Sequence, residues 1–396
     1  MVTTAPNAPT SVAHVYPWDL IGDPLAAQRY ADLGVDAVAL AASYHTVRAA
    51  TPLHPEHRLV DARHAAFYLP VREEAWQGKK LVPAGPSWVD GDNSYGAASD
   101  ALRAVGLPVY AWTVLTHSSR LGDLHPDVNV VNAFGDRYPY ALCTANPDVV
   151  EYARTLVSEV LDLGRPDGIV LEACGPLGFV HGGHHEKTEG ADWTPTQQKL
   201  LSLCFCAACA VRYQDAGIDV DELCASVRAG VDGGAAGIVQ VLGDLAKQVS
   251  AVRTTIVREL RQLLVDLVRA AAPGVRIAVH ATADEWATGP FATVAPAVEA
   301  DVDVLTVFCW AGADASTPAI RALREVAGPD ARIASYVLAL PPKPVDGPAL
   351  LAEWLRYADE GVEEFHLYHA GLAAEPRLAA LKHAVAGISS RLNGQL

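Results

Sequence analysis

Glu172 closes an apolar run, in the stretch DGIVLEACG (Asp167 to Gly175). A carboxyl group carried to the end of such a run loses water when the chain folds, and its ionised form is penalised. The raised pKa that results is what a general acid needs to protonate a leaving oxygen. Aromatic and polar side chains also recur at the ends of other apolar runs. They are Tyr16, Trp18 and Asp19; Tyr44 and His45; Trp112 and His117; His280 with Asp284; Cys309 and Trp310; Tyr336; and His366, Tyr368 and His369. Flat rings pack on the C–H faces of a sugar or other polyol, while imidazoles and carboxylates bind its hydroxyls. Any one of these residues is equally a core or rim side chain; the whole set reads as the lining of a binding mouth.

Cys204, Cys206 and Cys209 form C-x-C-x-x-C, a spacing that presents three thiolates to one tetrahedral zinc. A closed structural site needs a fourth ligand. Cys143, in YPYALCTANPDVV, is the expected one, with Cys174 and Cys224 as substitutes. The loop HGGHHEKT gathers His181, His184, His185 and Glu186. Three imidazoles and a carboxylate suit a divalent metal, but no two of these histidines are spaced i, i+4 and the glycines mark a loop. His184 and His185 are therefore expected to hydrogen-bond a substrate or to pack over the mouth.

Composition narrows the partners. The formal charge of −16, from 46 acidic and 30 basic residues, opposes a phosphate backbone and offers no basic stripe, so nucleic acid is not an expected partner. The opening MVTTAPNAPTS has neither the basic nor the apolar region of a signal peptide, and no stretch offers about 20 uninterrupted apolar residues. The reading is a cytoplasmic protein without a membrane partner, its seven cysteines kept as thiols, ligands or core residues rather than disulfides. No organic cofactor is expected, and an oligomer is left open.

The elements that must position these groups follow one repeating pattern: a short apolar run, a loop, then a helix-period segment closing on glycine. Eight such runs are present: Ser11 to Tyr16, Asp36 to Ser43, Leu107 to Val114, Asp167 to Ala173, Val275 to Ala281, Val302 to Trp310, Arg332 to Ala339, and Glu364 to Ala370. Near-continuous apolar character suits parallel strands covered on both faces. No G-x-G-x-x-G turn follows the first run, which disfavours an open doubly wound sheet. The expected fold is a single (βα)₈ TIM barrel over residues 11–390 behind a disordered tail of residues 1–10. Long insertions are expected at 44–106 and 174–274, and the active site at the carboxyl ends of the strands.

The order CTANPDVVEYARTLVSEVLD, DGIVLEACG, CFCAACAVRYQDAGIDV resembles the middle of glycoside-hydrolase-like barrels, and in particular the β-galactosidases of glycoside hydrolase family 42. The resemblance implies a structural zinc on Cys143, Cys204, Cys206 and Cys209, and Glu172 as the acid/base. The segments ASYHTVRAATPLHPEHR and LEACGPLGFVHGGHHEKT also resemble an uncharacterised, alanine-rich bacterial set of barrel proteins, with no assigned activity. One departure stands out. Retaining hydrolases of this clan carry a nucleophilic glutamate at the end of strand seven, where this chain reads RIASYVLAL.

The expectation is a carbohydrate-active enzyme, a hydrolase of a small glycoside or sugar-like metabolite, with Glu172 as general acid. Asp284, Asp19 or Tyr336 is the second catalytic group, with Glu285 beside Asp284. Trp18, Tyr44, Trp112, Trp310 and Tyr368 pack on the ring, and His45, His184, His185, His280 and His369 bind hydroxyls. A sugar isomerase, epimerase or lyase, metal-assisted through the HGGHHE loop, is the first alternative. A non-catalytic sugar-binding barrel is the second.

Overall fold

The apolar runs become strands of one closed barrel. The computed structural model describes residues 9–180, 186–294 and 302–394. Its eight barrel strands are β1 (Ser11–Val15), β2 (Ala37–Tyr44), β3 (Val109–Val114), β4 (Gly168–Glu172), β5 (Arg276–Thr282), β6 (Val304–Phe308), β7 (Ile333–Leu338) and β8 (Glu364–Tyr368). All pair in parallel and in chain order. β1 lies against both β2, with Val12 opposite Ala37, and β8, with Ser11 opposite Phe365, so the ring closes. Closure leaves no barrel strand with an unpaired edge. The fold is the (βα)₈ barrel that the sequence pattern anticipates, and each strand begins and ends within two residues of its apolar run.

Helices α1 (Ala26–Ala31), α2 (Ser94–Ala104), α3 (Pro147–Glu159), α4 (Leu245–Ala271), α5 (Ala313–Ala327), α6 (Gly347–Asp359) and α7 (Glu375–Leu392) follow every strand but β5, after which none lies among the described residues. Their starts follow from side-chain caps. Asn93 accepts from Gly96 N–H, Asn146 accepts from Asp148 N–H ahead of Pro147, and Asp346 accepts from Ala349 N–H. The first helix begins at Ala26, and Asp23 accepts from Leu25 N–H and pairs with Arg29 at 3.0 Å, capping the turn ahead of it.

Among the described residues, three connections at the strand carboxyl ends carry hairpins or extra helices. After β2 come the hairpin Val47–Ala50/Leu59–Ala62, the short strand Ala66–Phe67 antiparallel to β2, and the turn of helix Glu73–Trp76. After β4, among the described residues, come a 3-10 turn at Glu189–Ala191 and four α-helices, Pro195–Leu201, Ala207–Asp215, Val220–Asp232 and Ile238–Leu242, before α4. The third, after β3, is the helix Ser119–Leu124 and the hairpin Asn129–Val131/Arg137–Leu142, which the strand-and-helix pattern of the sequence does not reveal.

Inside the barrel, side chains two apart on each strand stack in layers. At the amino-terminal end Tyr110 lies beside Gly168, where a Cβ would sit 2.6 Å from the tyrosine ring, so glycine is the residue that leaves the ring room. A buried polar column rises from there. Glu364 takes Arg276 at 2.6 Å and Arg332 at 3.2 Å on one oxygen, and His366 at 3.0 Å on the other. His366 Nδ1 then meets His14 Nε2 at 3.3 Å. Burial works to raise the Glu364 pKa, but His366 and the two arginines hold it below the usual carboxylate value. Replacing this carboxylate leaves Arg276 without its carboxylate partner and Arg332 with Glu363 alone. Glu364→Gln is therefore expected to lower unfolding stability by about 3–5 kcal/mol in urea melts at neutral pH; a loss within the error of the melt would show that the column is not a stabilising ion cluster.

Candidate active site

β4 delivers Glu172 to the top of the barrel interior. Strand parity places Trp112 of β3 on the same inner surface, and the indole Nε1–H donates to Glu172 Oε2 at 2.6 Å. His280 of β5 brings Nδ1 to 3.6 Å from the same oxygen, beyond a hydrogen bond in this state. A register shift between Ala41 and Ser43 in β2 resets the alternation of that strand. Without it Tyr44 would face the surrounding helices; with it the ring sits inside, 4.5 Å from Trp112 and 4.9 Å from Tyr16. Tyr336 of β7 and Tyr368 of β8 complete the lining, 5.7 Å apart, with Trp310 at 5.7 Å from the first and 4.7 Å from the second.

The electrostatics of this lining come from burial. Glu172 is about 5 % exposed, and desolvation pushes its pKa up to about 7, with the Trp112 hydrogen bond acting weakly the other way. Burial, aided by His366, holds His280 well below its usual value, and burial alone brings His369 down to about 3. His14 is likewise held low by burial and by His366, His280 and His369. Tyr16, Tyr44, Tyr336 and Tyr368 are all raised by burial first. At neutral pH the floor therefore consists of neutral imidazoles, phenols and an indole around one carboxyl poised to gain or lose a proton.

Ring contacts hold the floor rigid. His280 stacks face to face on Phe291 at 4.2 Å and 3°, which fixes the plane of its imidazole. Tyr16 stacks between Trp18 at 4.3 Å and His369 at 4.1 Å. Its hydroxyl faces those of Tyr44 and Tyr368 without a hydrogen bond of standard length. Trp18 is fully buried behind Tyr16, on the turn Pro17–Asp19. The half-buried rim holds His45 and His117, 4.4 Å apart, with Trp310 and Phe291, while Phe308 is 42 % exposed. Phe291 and His14 were not singled out from sequence. Phe291 lies in a loop outside any apolar run, whereas His14 was legible as the inward residue two before Tyr16.

The candidate second groups are spread out. Tyr336 lies on the inner surface close enough to Glu172 for that carboxyl to raise its pKa further. Asp19 is buried, and desolvation lifts it to about 7. However, Oδ2 accepts from Tyr16 N–H at 2.8 Å, and the carboxyl borders a small void of about 10 Å³ shared with Tyr30, His54 and Gly371. Asp284 pairs with Lys199 at 2.6 Å, with 42 % of its side chain exposed, and Glu285 accepts from Ser250 and Trp286. Cys309 turns outward, where its carbonyl accepts from the Tyr357 hydroxyl. His181, His184 and His185 lie outside the described residues; Glu186 is exposed and accepts from Thr188.

On the flank of the mouth the sulfurs of Cys143, Cys204, Cys206 and Cys209 all lie within 4.8 Å of one another. Cys143 Sγ is 3.5 Å from Cys209 and Cys206 and 3.8 Å from Cys204. A tetrahedron with Zn–S bonds of about 2.3 Å has sulfur–sulfur edges of about 3.8 Å, so the four sulfurs fit one such ion and are too far apart for a disulfide. Cys174 and Cys224 are elsewhere: burial raises the Cys174 thiol to about 12, and Cys224 Sγ donates to the Ala133 carbonyl at 3.2 Å.

No protein-family model matches the chain, and no curated protein does. Solved structures do. The glycoside hydrolase domain of PgaB (BpsB) from Bordetella bronchiseptica superposes with a TM-score of 0.61 at 15 % identity, covering 95 % of this chain and 98 % of that one. The catalytic domain of β-amylase from Paenibacillus polymyxa gives 0.60 at 13 %, covering 97 % and 98 %. α-L-Fucosidase isoenzyme 2 from Paenibacillus thiaminolyticus gives 0.59 at 13 %, covering 98 % of this chain and 50 % of that enzyme. The barrel is thus one that glycoside hydrolases use. At these identities the likeness is of fold. No described helix is long and apolar enough to cross a membrane.

The raised pKa of Glu172 is also a statement about stability. The native value of about 7 lies above the ordinary 4.5, so the stability it confers is complete below about pH 4.5, falls as pH rises to about 7, and stays low above. The span corresponds to about 3 kcal/mol. Glu172→Gln, uncharged and of the same shape, should therefore unfold at higher urea than the parent at pH 8 and with little difference at pH 4.5; a gain of equal size at both values would remove burial of the charge as its cause.

Proposed function

We propose that the chain is a carbohydrate-active enzyme that hydrolyses a glycosidic bond, with Glu172 as the general acid. One observation carries this reading: a carboxyl at the end of β4, buried and lifted to about 7, set in a cup of neutral aromatic side chains. The kinship of fold with glycoside hydrolases supports it. The chemistry follows from the lining. Trp112 occupies Oε2, which leaves Oε1 as the oxygen to hold the transferable proton. As the glycosidic carbon–oxygen bond breaks, the leaving oxygen takes that proton and departs as an alcohol. A water then supplies the oxygen that joins the anomeric carbon and releases its proton to solvent, and Glu172 regains one from solvent.

The other groups orient and exclude water. Trp310, Tyr368 and Tyr44 present ring faces and edges to the sugar. His280 and His369, neutral at working pH, bind hydroxyls, and His45 does so at the rim. Tyr336 serves as a neutral phenol, because burial disfavours the phenolate that a nucleophile would need. The anchorage of Asp284 on Lys199, and of Asp19 on Tyr16 N–H, favours direct attack by water over a covalent intermediate on either carboxylate.

The test is a panel of nitrophenyl glycosides and short oligosaccharides. Since the acid acts while protonated, kcat/KM should fall as pH rises through about 7. Glu172→Gln should lower kcat/KM by about 10²–10⁴-fold and abolish that limb; a variant with parental turnover ends the assignment.

We further infer that Cys143, Cys204, Cys206 and Cys209 hold a structural zinc, on the strength of sulfur spacings that match a tetrahedral site. Such an ion tethers the β3 hairpin to the β4 insertion and takes no part in bond breaking. Purified protein should contain about one equivalent of zinc, and stripping it with a chelator should lower the melting temperature; less than half an equivalent after reconstitution would count against the site.

A further inference from the structure

We propose that Arg253 is the counter-cation of the metal-loaded cysteine cluster, a positioning residue whose guanidinium offsets the negative charge there and so fastens helix α4 to the cysteine knot. The proposal rests on the zinc reading above and extends it to a residue outside the ligand set.

Arg253 projects from α4 and is only 8 % exposed. It borders a cavity of about 30 Å³ that it shares with Cys143, Cys204, Cys209, Tyr213 and Ser202. One Nη2–H donates to the Ala287 carbonyl at 3.0 Å, and the guanidinium carbon lies 5.9 Å from the Trp286 ring centre. Nε is buried and has no hydrogen-bond partner, and among the described residues no carboxylate pairs with this cation within 4 Å. Burial opposes its charge. The groups that favour the charge are Tyr213, Cys209, Asp284 and Cys204, and Asp284 is already paired with Lys199.

A buried cation facing four neutral thiols would be left uncompensated, an arrangement that folded proteins avoid. Four thiolates around one dication carry a net charge of about −2, which reverses the account. The site then needs positive charge as much as Arg253 needs negative. Groups just outside a metal's ligands alter its affinity by about 10–100-fold. The same interaction draws α4 against the helix Ala207–Asp215, which holds Cys209 and Tyr213.

The experiment uses the full chain reconstituted with zinc, titrated with a chromogenic chelator and melted with and without metal. Arg253→Met should weaken zinc binding about 10-fold or more, and Arg253→Lys, which keeps the charge, should recover most of it. Arg253→Met should also melt below the parent when zinc is bound and no lower than the parent when it is absent, a reversal that a purely packing role does not produce. If the parent binds one equivalent and Arg253→Met holds zinc as tightly, the counter-cation role is overturned while the zinc site stands. A parent that takes up less than half an equivalent overturns both. Weakening by Arg253→Lys as large as that by Arg253→Met would show that shape, not charge, is what matters.

Discussion

An ionised carboxylate drawn out of water is penalised unless charge or hydrogen bonds meet it, and at the mouth of this barrel little meets Glu172. One indole N–H reaches it, and burial dominates. Its surroundings obey the same constraint. A protonated His280 beside the carboxyl would pull its pKa down, yet His280 is itself too buried to hold a proton. Phenolates are excluded in the same way. Glu172 thus changes charge near neutrality within a floor of imidazoles and phenols that cannot screen it by ionising in turn.

That neutrality depends on where the other charges go. Arg276 and Arg332 are balanced by Glu364 and Glu363 at the amino-terminal end of the barrel, where Glu364 lies two residues below His366 on the same strand. Lys199 and Asp284 pair on the insertion side, away from the floor. The His366–His14 contact then carries the column upward through imidazoles alone. The barrel interior is charged at its base and uncharged at its mouth, which is the gradient a general acid with a raised pKa requires.

Much of this was legible in the residue pattern because parallel strands buried on both faces write themselves as apolar runs. Strand ends and parity follow from such runs, so the strand origins of Glu172, Trp112, His280, Tyr336 and Tyr368 could be read directly. What could not be read depends on contacts distant in sequence or on local irregularity. The register shift at Ala41–Ser43 decides which way Tyr44 faces, and no composition signals it. Cys309 lies on the opposite face of β6 from Phe308, which pairs with the inward Tyr336, and the near-continuous apolar run of β6 does not itself mark which face is inner. The burial of Asp19 arises from the approach of Gly371, 352 residues later, where a Cβ would sit 1.9 Å from a carboxylate oxygen. In the hairpin after β3 one strand has only three residues and the other is interrupted by Pro139, so neither makes an apolar run long enough to mark it.

The cysteine knot connects these scales. Its sulfurs come from the end of the β3 hairpin and from the helix-rich segment after β4, and the cavity beside it is also lined by Pro176 and Leu177, on the loop that leaves Glu172. Tyr140 of the hairpin donates to the Gly178 carbonyl at 2.8 Å, and Tyr138 to Leu201 at 2.9 Å, so the two elaborations are pinned together on both sides of that loop. Loop backbone without regular pairing has few constraints of its own. A loop clamped between a hairpin and an insertion has many. The wall of the mouth above Glu172 is therefore held from both sides, by these two tyrosine hydrogen bonds and by the buried four-cysteine cluster that packs beside Pro176 and Leu177.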